Sequence, residues 1–291
     1  MIDEALIIVT KVGMFVFIVA GMASMGLSLT LPRIVEPLRD LRMVALLLGA
    51  NFVVVPVVAV AATRILPMDE AAATAIMLVG CCAGAPFLPK LAQLAGGKAA
   101  LAVGSMVLLM VATVVYAPIV VPLVVEGATV EPWDIASSLI VLMLIPLGLG
   151  LLAKARYEAF ADSIAAQTGQ ISSVGLLIGI VAALLVSWQD VLGAIGSWIF
   201  VGIAIVLVAG LVAGYLAGFG RSGSDMVVLG LATAQRNIAA ALVVAASLSG
   251  DVVVLTMVGA LVIPVVLIAL AGEIGKRTAP PQSPDEGTAG A

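Results

Sequence analysis

Thr233, Gln235, Arg236 and Asn237 cluster inside an otherwise apolar run that spans 225–249. Arginine pairs with a carboxylate through two parallel N–H···O bonds, and the neighbouring amides and hydroxyl add donors and acceptors. These residue types at this spacing therefore suit the binding of a small anion or ion. A charged side chain at the centre of a membrane helix costs about 2.5 to 3.5 kcal/mol on insertion scales, so Arg236 needs a partner or a wet cavity. Its other role would be to clamp backbone carbonyls set free where a helix is interrupted.

A second set of residues, Gly84, Pro86, Pro89 and Lys90, follows the paired Cys81 and Cys82. Each proline lacks an N–H and restricts the residue before it, so a helix cannot run straight through. Lys90 lies about two turns deeper than Gly96, Gly97 and Lys98, which end the same apolar segment. Its ammonium either snorkels to an interface on its long stem or faces the same site as the arginine. Asn51, in the middle of another apolar segment and followed by Pro56, is a buried amide that lines the site or holds helices together. Ser24, Ser28, Ser105 and Thr113 carry little information individually, because hydroxyls are common between membrane helices.

Other chemistry is excluded by what the chain lacks. It has no histidine, which removes Ser-His-Asp catalysis, zinc-activated water and histidine proton relays. Two adjacent cysteines without a second pair fall short of a metal site and read as small packing residues. No paired acid and nucleophile stands out, so an enzyme is not expected.

These residues must be positioned by membrane helices. Hydrophobic residues make up 63% of the 291 and charged ones 10%, a balance that no water-soluble surface provides. Apolar runs give nine segments, at about 6–29, 43–65, 70–95, 99–124, 135–153, 168–187, 192–219, 225–249 and 252–273. Asp3 and Glu4 precede the first, the wrong charge for a cleaved signal peptide, so that helix is expected to remain. A single membrane domain over 1–275 is expected, with a disordered cytoplasmic tail over 276–291.

Sorting the loops by side puts nine basic residues on one face, including Arg33, Lys98, Arg156, Arg221 and Lys276, against Lys11 and Arg64 on the other. This asymmetry puts the first face in the cytoplasm, the amino terminus outside and the carboxyl terminus inside, in the cell (inner or plasma) membrane. The basic residues are too thinly spread to hold nucleic acid.

A weak internal repeat relates segments three and four to segments eight and nine. Each copy meets a polar or proline interruption, resumes as a small-residue helix and stops at glycine followed by a charge. The copies enter from opposite faces, the pattern of secondary transporters built from inverted repeats, whose site lies where two broken helices meet. Helix amino termini at the breaks would add partial positive charge there.

The stretches GMASMGLSLT (21–30), GCCAG (80–84) and QRNIAAA (235–241), in that order, resemble the bile acid:sodium symporter family over about 12–273. The resemblance implies a core domain with two crossed broken helices and a panel domain that moves relative to it. Panel helices would be 6–29, 135–153 and 168–187, and core helices 43–124 and 192–273. It also implies sodium held by side chains and carbonyls around both breaks.

This sequence departs from that pattern at several of those positions. The family's Ser-Asn pair after the first break is missing, and hydroxyl positions on the next helix are Ala102 and Met106. A family glutamate falls at Ala232, and the glutamine of its Gln-Asn pair is Arg236. Asn51 stands where the family has a glutamine.

The expected protein is therefore all-α and integral to the membrane, a secondary transporter of a small organic anion. Its site would be drawn from Asn51, Lys90, Thr233, Gln235, Arg236 and Asn237, with breaks at Gly84, Pro86 and Pro89. No cofactor is expected beyond sodium as the coupling ion that the resemblance implies. A sodium-independent uniporter or exchanger, with Arg236 in place of the cation, is the alternative, and a non-transporting receptor the third reading. Membrane lipid is the other expected partner, and oligomeric state stays open.

Overall fold

A computed structural model describes residues 2–278 apart from 126–130, 132, 134–136, 138–139 and 246. Helix is the regular structure of the described residues, among which there is no strand. In chain order the helices are α1 (Ile2–Ser28), α2 (Leu31–Val35), α3 (Leu41–Gly49) and α4 (Val55–Ile65). Then come α5 (Glu70–Cys81), α6 (Leu88–Leu94), α7 (Ala99–Val124), α8 (Ile145–Arg156) and α9 (Glu158–Gly193). The last four are α10 (Ile199–Ala217), α11 (Gly223–Ala234), α12 (Ile238–Ala245) and α13 (Gly250–Thr278).

Among the described residues, seven helical stretches are long and apolar enough to cross a membrane: Glu4–Ser28, Leu41–Ile65, Ala99–Val124, Glu158–Val186, Ile199–Ala217, Gly223–Ala245 and Gly250–Arg277. Two more expected segments are the interrupted pair α5 and α6, and the stretch ending in α8, whose beginning falls outside the described residues. α7 displays the membrane signature along one face. Val111, Val115, Ile119 and Leu123, spaced by one turn, are exposed, while Leu109, Thr113, Ala117 and Val121 are buried. An apolar face turned outward is stable against lipid and costly in water.

Some boundaries differ from expectation. The sixth segment is longer than 168–187, because α9 begins at Glu158 on a polar turn stabilised by Lys154, which pairs with Glu158 and Asp162. α13 continues through Lys276 and Arg277 to Thr278, supported by an Arg277–Glu273 pair one turn apart. Residues 276–278 of the expected tail are thus helical, and the rest of it, 279–291, lies outside the described residues. α10 begins at Ile199 rather than 192, after a turn in which Trp198 has φ +63°.

Two π turns shape the long helices. One covers Ala50–Val54 and the other Ile140–Leu144, and each is followed two residues later by a proline, Pro56 or Pro146. Proline cannot donate to the turn before it, and widening that turn lets the helix continue. Asn51 lies in the first of these wide turns.

α1, α8 and α9 pack against one another through close glycine contacts, with Gly13 against Gly175 and Gly179, and Gly26 against Gly150. The remaining helices pack around α5, α6, α11 and α12. At the end rich in basic residues these helices are joined by an ionic network. Lys98 Nζ reaches the buried Asp225 at 2.9 Å, and Arg221 spans Asp225 and Asp40. Asp40 also caps α3 by accepting the Met43 N–H, and this bond together with Arg221 holds its carboxyl below the usual range.

The repeat is visible in helix lengths. α5 and α11 have 12 residues each, followed by a break, a short helix of seven or eight residues and a long helix of 26 or 29.

Candidate functional site

The two breaks meet and bond to each other. α5 ends at Cys81, and the chain runs extended through Cys82 to Gly84, whose φ of +80° favours glycine. A Cβ on Gly84 would lie 2.3 Å from Met110 N, so glycine also lets the break lie against α7. Thr113 of α7 serves both backbone groups of Ala83, accepting its N–H at 3.0 Å and donating to its carbonyl at 2.9 Å. Across the crossing, the Asn237 N–H donates to Cys82 O at 3.0 Å and Asn237 Nδ2 to Gly84 O at 3.1 Å. Asn237 Oδ1 accepts the Ala240 N–H and so caps α12.

Arg236 is fully buried and knits this crossing together. Its Nε donates to Val79 O at 3.1 Å and one terminal nitrogen to Gly80 O at 2.6 Å, both carbonyls that the end of α5 leaves free. The other terminal nitrogen donates to Asn51 Oδ1 at 2.9 Å and Thr233 O at 3.1 Å. Asn51 in turn donates through Nδ2 to Leu47 O and Thr233 Oγ1, each at 3.0 Å, and Thr233 Oγ1 donates to Leu229 O. Thus Asn51, Thr233, Arg236 and Asn237 are brought together in one hydrogen-bonded unit. Its acceptors are carbonyls and an amide, with no carboxylate among them. The geometry is that of a clamp on freed backbone carbonyls.

Gln235 is also buried, but its Oε1 meets no donor. Its amide nitrogen has only a long contact, 3.5 Å, to Arg236 O.

The expected positive helix ends are not offered to a ligand. Asn237 fills the start of α12, and at the start of α6 the N–H groups of Leu88, Lys90 and Leu91 are bonded to Ala85 O and Phe87 O.

Lys90 stands apart from this unit. It lines a cavity of about 830 Å³ bounded by α1, α6 and α9, together with Pro86, Pro89, Ser24, Gln93 and Gln170. Its Nζ donates to Ser173 Oγ of α9 at 2.9 Å. Lys90 is the basic residue among those lining the cavity, and the acidic one, Asp162, is paired with Lys154. A second cavity, of about 800 Å³, lies toward the other membrane face between the starts of α5 and α13 and the end of α9. Asp69, Glu70, Asp190 and Asp251 line it.

Sequence reading missed the role of Thr113, and with it Ser173 and the pair Phe17–Phe87. The signal for Ser173 is a Gln-Ile-Ser-Ser run, 170–173, in the middle of an apolar helix. Thr113 has no signal, because its partners are backbone atoms 30 residues away.

The sodium bile acid symporter family model matches residues 14–194, well over half of the chain. The chain belongs to the sodium bile acid symporter family. It is accordingly a multi-pass membrane protein built as the family's transporters are. The match includes the first break, whereas the second break and its Arg236 lie beyond residue 194. No curated protein matches the sequence.

Proposed function

We propose that this family member carries a small organic anion by alternating access, holds the anion at Lys90 in the cavity between α1, α6 and α9, and needs no coupling cation. The observation that carries the reading is the guanidinium of Arg236, fully buried and bonded to four oxygens contributed by α5, α11 and the π turn. Two unit charges 4 Å apart repel by about 4 kcal/mol at an effective dielectric of 20, so a mobile cation beside that guanidinium is strongly disfavoured. The acidic residue that would offset the repulsion is Ala232 in this chain. The guanidinium is thus a tethered substitute for the ion. With Arg236 committed to the breaks, Lys90 supplies the positive charge in the cavity between α1, α6 and α9. α1, α8 and α9 would serve as the panel and the rest as the core that shifts against it, with the basic face toward the cytoplasm.

Ordinary sodium symport is the second reading. Gln235 Oε1, a buried oxygen without a donor, favours it, because such an oxygen could meet a cation. Uptake of radiolabelled acetate, lactate, benzoate, succinate and taurocholate into proteoliposomes, with sodium, potassium or choline outside, separates the two. Uptake unchanged when potassium replaces sodium is the expected result. A steep, saturable sodium dependence would return the chain to symport, and uptake of none of the anions under any gradient would refute the anion reading.

A further inference from the structure

The Lys90 cavity ends, at depth, on a seam where the first break meets α1 and α9. Phe17 of α1 lies edge-on to Phe87, with ring centroids 5.3 Å apart, and Lys90 reaches Ser173 close by. Ser173 is 11 residues along α9 from Asp162, and Phe17 is 11 residues along α1 from Ser28. At the helical rise both contacts lie about 16 Å in from the cavity's polar mouth, at one depth. Beyond them, toward the other face, lies the second cavity, between α9 and the starts of α5 and α13. Along α9 the seam at Ser173 thus comes before the second cavity, which Asp190 lines.

The polar bond in this seam has a fixed direction. Ser173 Oγ gives its own proton to Gly169 O at 2.9 Å, so toward Lys90 it can only accept. The ammonium is therefore held by a neutral oxygen. A carboxylate is a stronger partner for it, because it adds the Coulomb attraction of a full opposite charge to the hydrogen bond.

We propose that Lys90 and Ser173 form a latch that a bound anion releases. The anion takes the ammonium from the hydroxyl, the first break loses its polar attachment to α9, and the seam parts. This rests on reading the cavity as the anion site. Lys90 then determines specificity, because a neutral ligand of the same shape would fill the cavity and leave the latch closed. Ser173 is a positioning residue that keeps the ammonium at depth while no anion is present.

The test uses the full chain in lipid vesicles, with Cys81 and Cys82 changed to alanine and a reporter cysteine replacing Ala85. Ala85 is 5% exposed and lies in the first break. A membrane-impermeant maleimide should label the parent slowly. Without any anion, Ser173→Ala should label at least about tenfold faster, the factor expected from losing one hydrogen bond with a charged donor. Ser173→Thr, which keeps the hydroxyl, should restore the slow rate. Lys90→Gln should label fast and show no response to the five anions. Equal slow rates in the parent, Ser173→Ala and Lys90→Gln would overturn the latch. Because this comparison needs no ligand, it stands apart from the uptake assay, whose failure would refute the anion reading instead.

Discussion

The main-chain N–H of Asn237 donates to the carbonyl oxygen of Cys82 at 3.0 Å, joining the two interrupted helices where each has lost its own ladder. Around that bond, Thr113 satisfies Ala83, and Arg236 satisfies Val79 and Gly80. Apart from the Gln235 side chain, these groups at the crossing find their hydrogen bonds within the protein, which lipid cannot supply.

Replacing Arg236 with methionine should destabilise the protein by about 3 to 5 kcal/mol, because it strands buried acceptors that no water reaches. A melt in detergent should show a fall of several degrees, with Arg236→Lys intermediate. A melt unchanged from the parent would mean that the clamp contributes nothing to the fold.

Restoring the acidic residue and the amide together should recreate an ion site. The double variant Ala232→Glu with Arg236→Gln is expected to gain thermal stability in sodium chloride over potassium chloride. The unmodified protein should melt alike in both. Sodium at 100 times its dissociation constant would add about 2.7 kcal/mol. A parent protein that is itself stabilised selectively by sodium would contradict the tethered-cation reading.

Gly84→Ala should be among the most damaging small changes. Its φ of +80° disfavours a side chain, and the added carbon would overlap Met110 backbone atoms that cannot yield, for a cost of about 2 to 4 kcal/mol. Gly49→Ala, with nothing within 4 Å of the new carbon, should be neutral or stabilising by up to about 1 kcal/mol. Comparable melts for the two variants would show that the break tolerates looser packing than its geometry implies.

The nine-to-two distribution of basic residues predicts a cytoplasmic carboxyl terminus. A single cysteine at Ser283, in a background lacking Cys81 and Cys82, should react with an impermeant reagent only after the inner face is opened. Labelling of intact cells would reverse the topology.

Much of this architecture is legible in the amino-acid sequence. The breaks around Gly84 and Pro86 and at Gln235 to Asn237 announce themselves, because proline and clustered polar groups cannot continue a helix through lipid, whereas Pro89 falls in the first turn of α6 rather than in the break. The polar identities of Asn51, Thr233, Arg236 and Asn237 are plain too, since apolar surroundings make each one conspicuous. Their partners are not. Arg236 bonds to backbone carbonyls 156 and 157 residues away, and every residue type has a carbonyl, so no composition or spacing marks Val79 or Gly80. The same ambiguity leaves ligand and clamp as open roles for Arg236 in the sequence. Helix ends such as Glu158 escape because a polar turn outside the apolar core leaves no hydropathy signal.

The burial of Arg236 also dictates an order of events during biosynthesis. Its acceptors on other elements, Asn51, Val79 and Gly80, all belong to segments made before it. The interrupted helix formed by α11 and α12 therefore enters the bilayer carrying a charge whose partners on other elements must be supplied by an already assembled first half. An amino-terminal half that has failed to fold leaves the guanidinium facing hydrocarbon, where it is both unstable and conspicuous to quality-control machinery. One buried arginine thus makes completion of the second repeat conditional on the first.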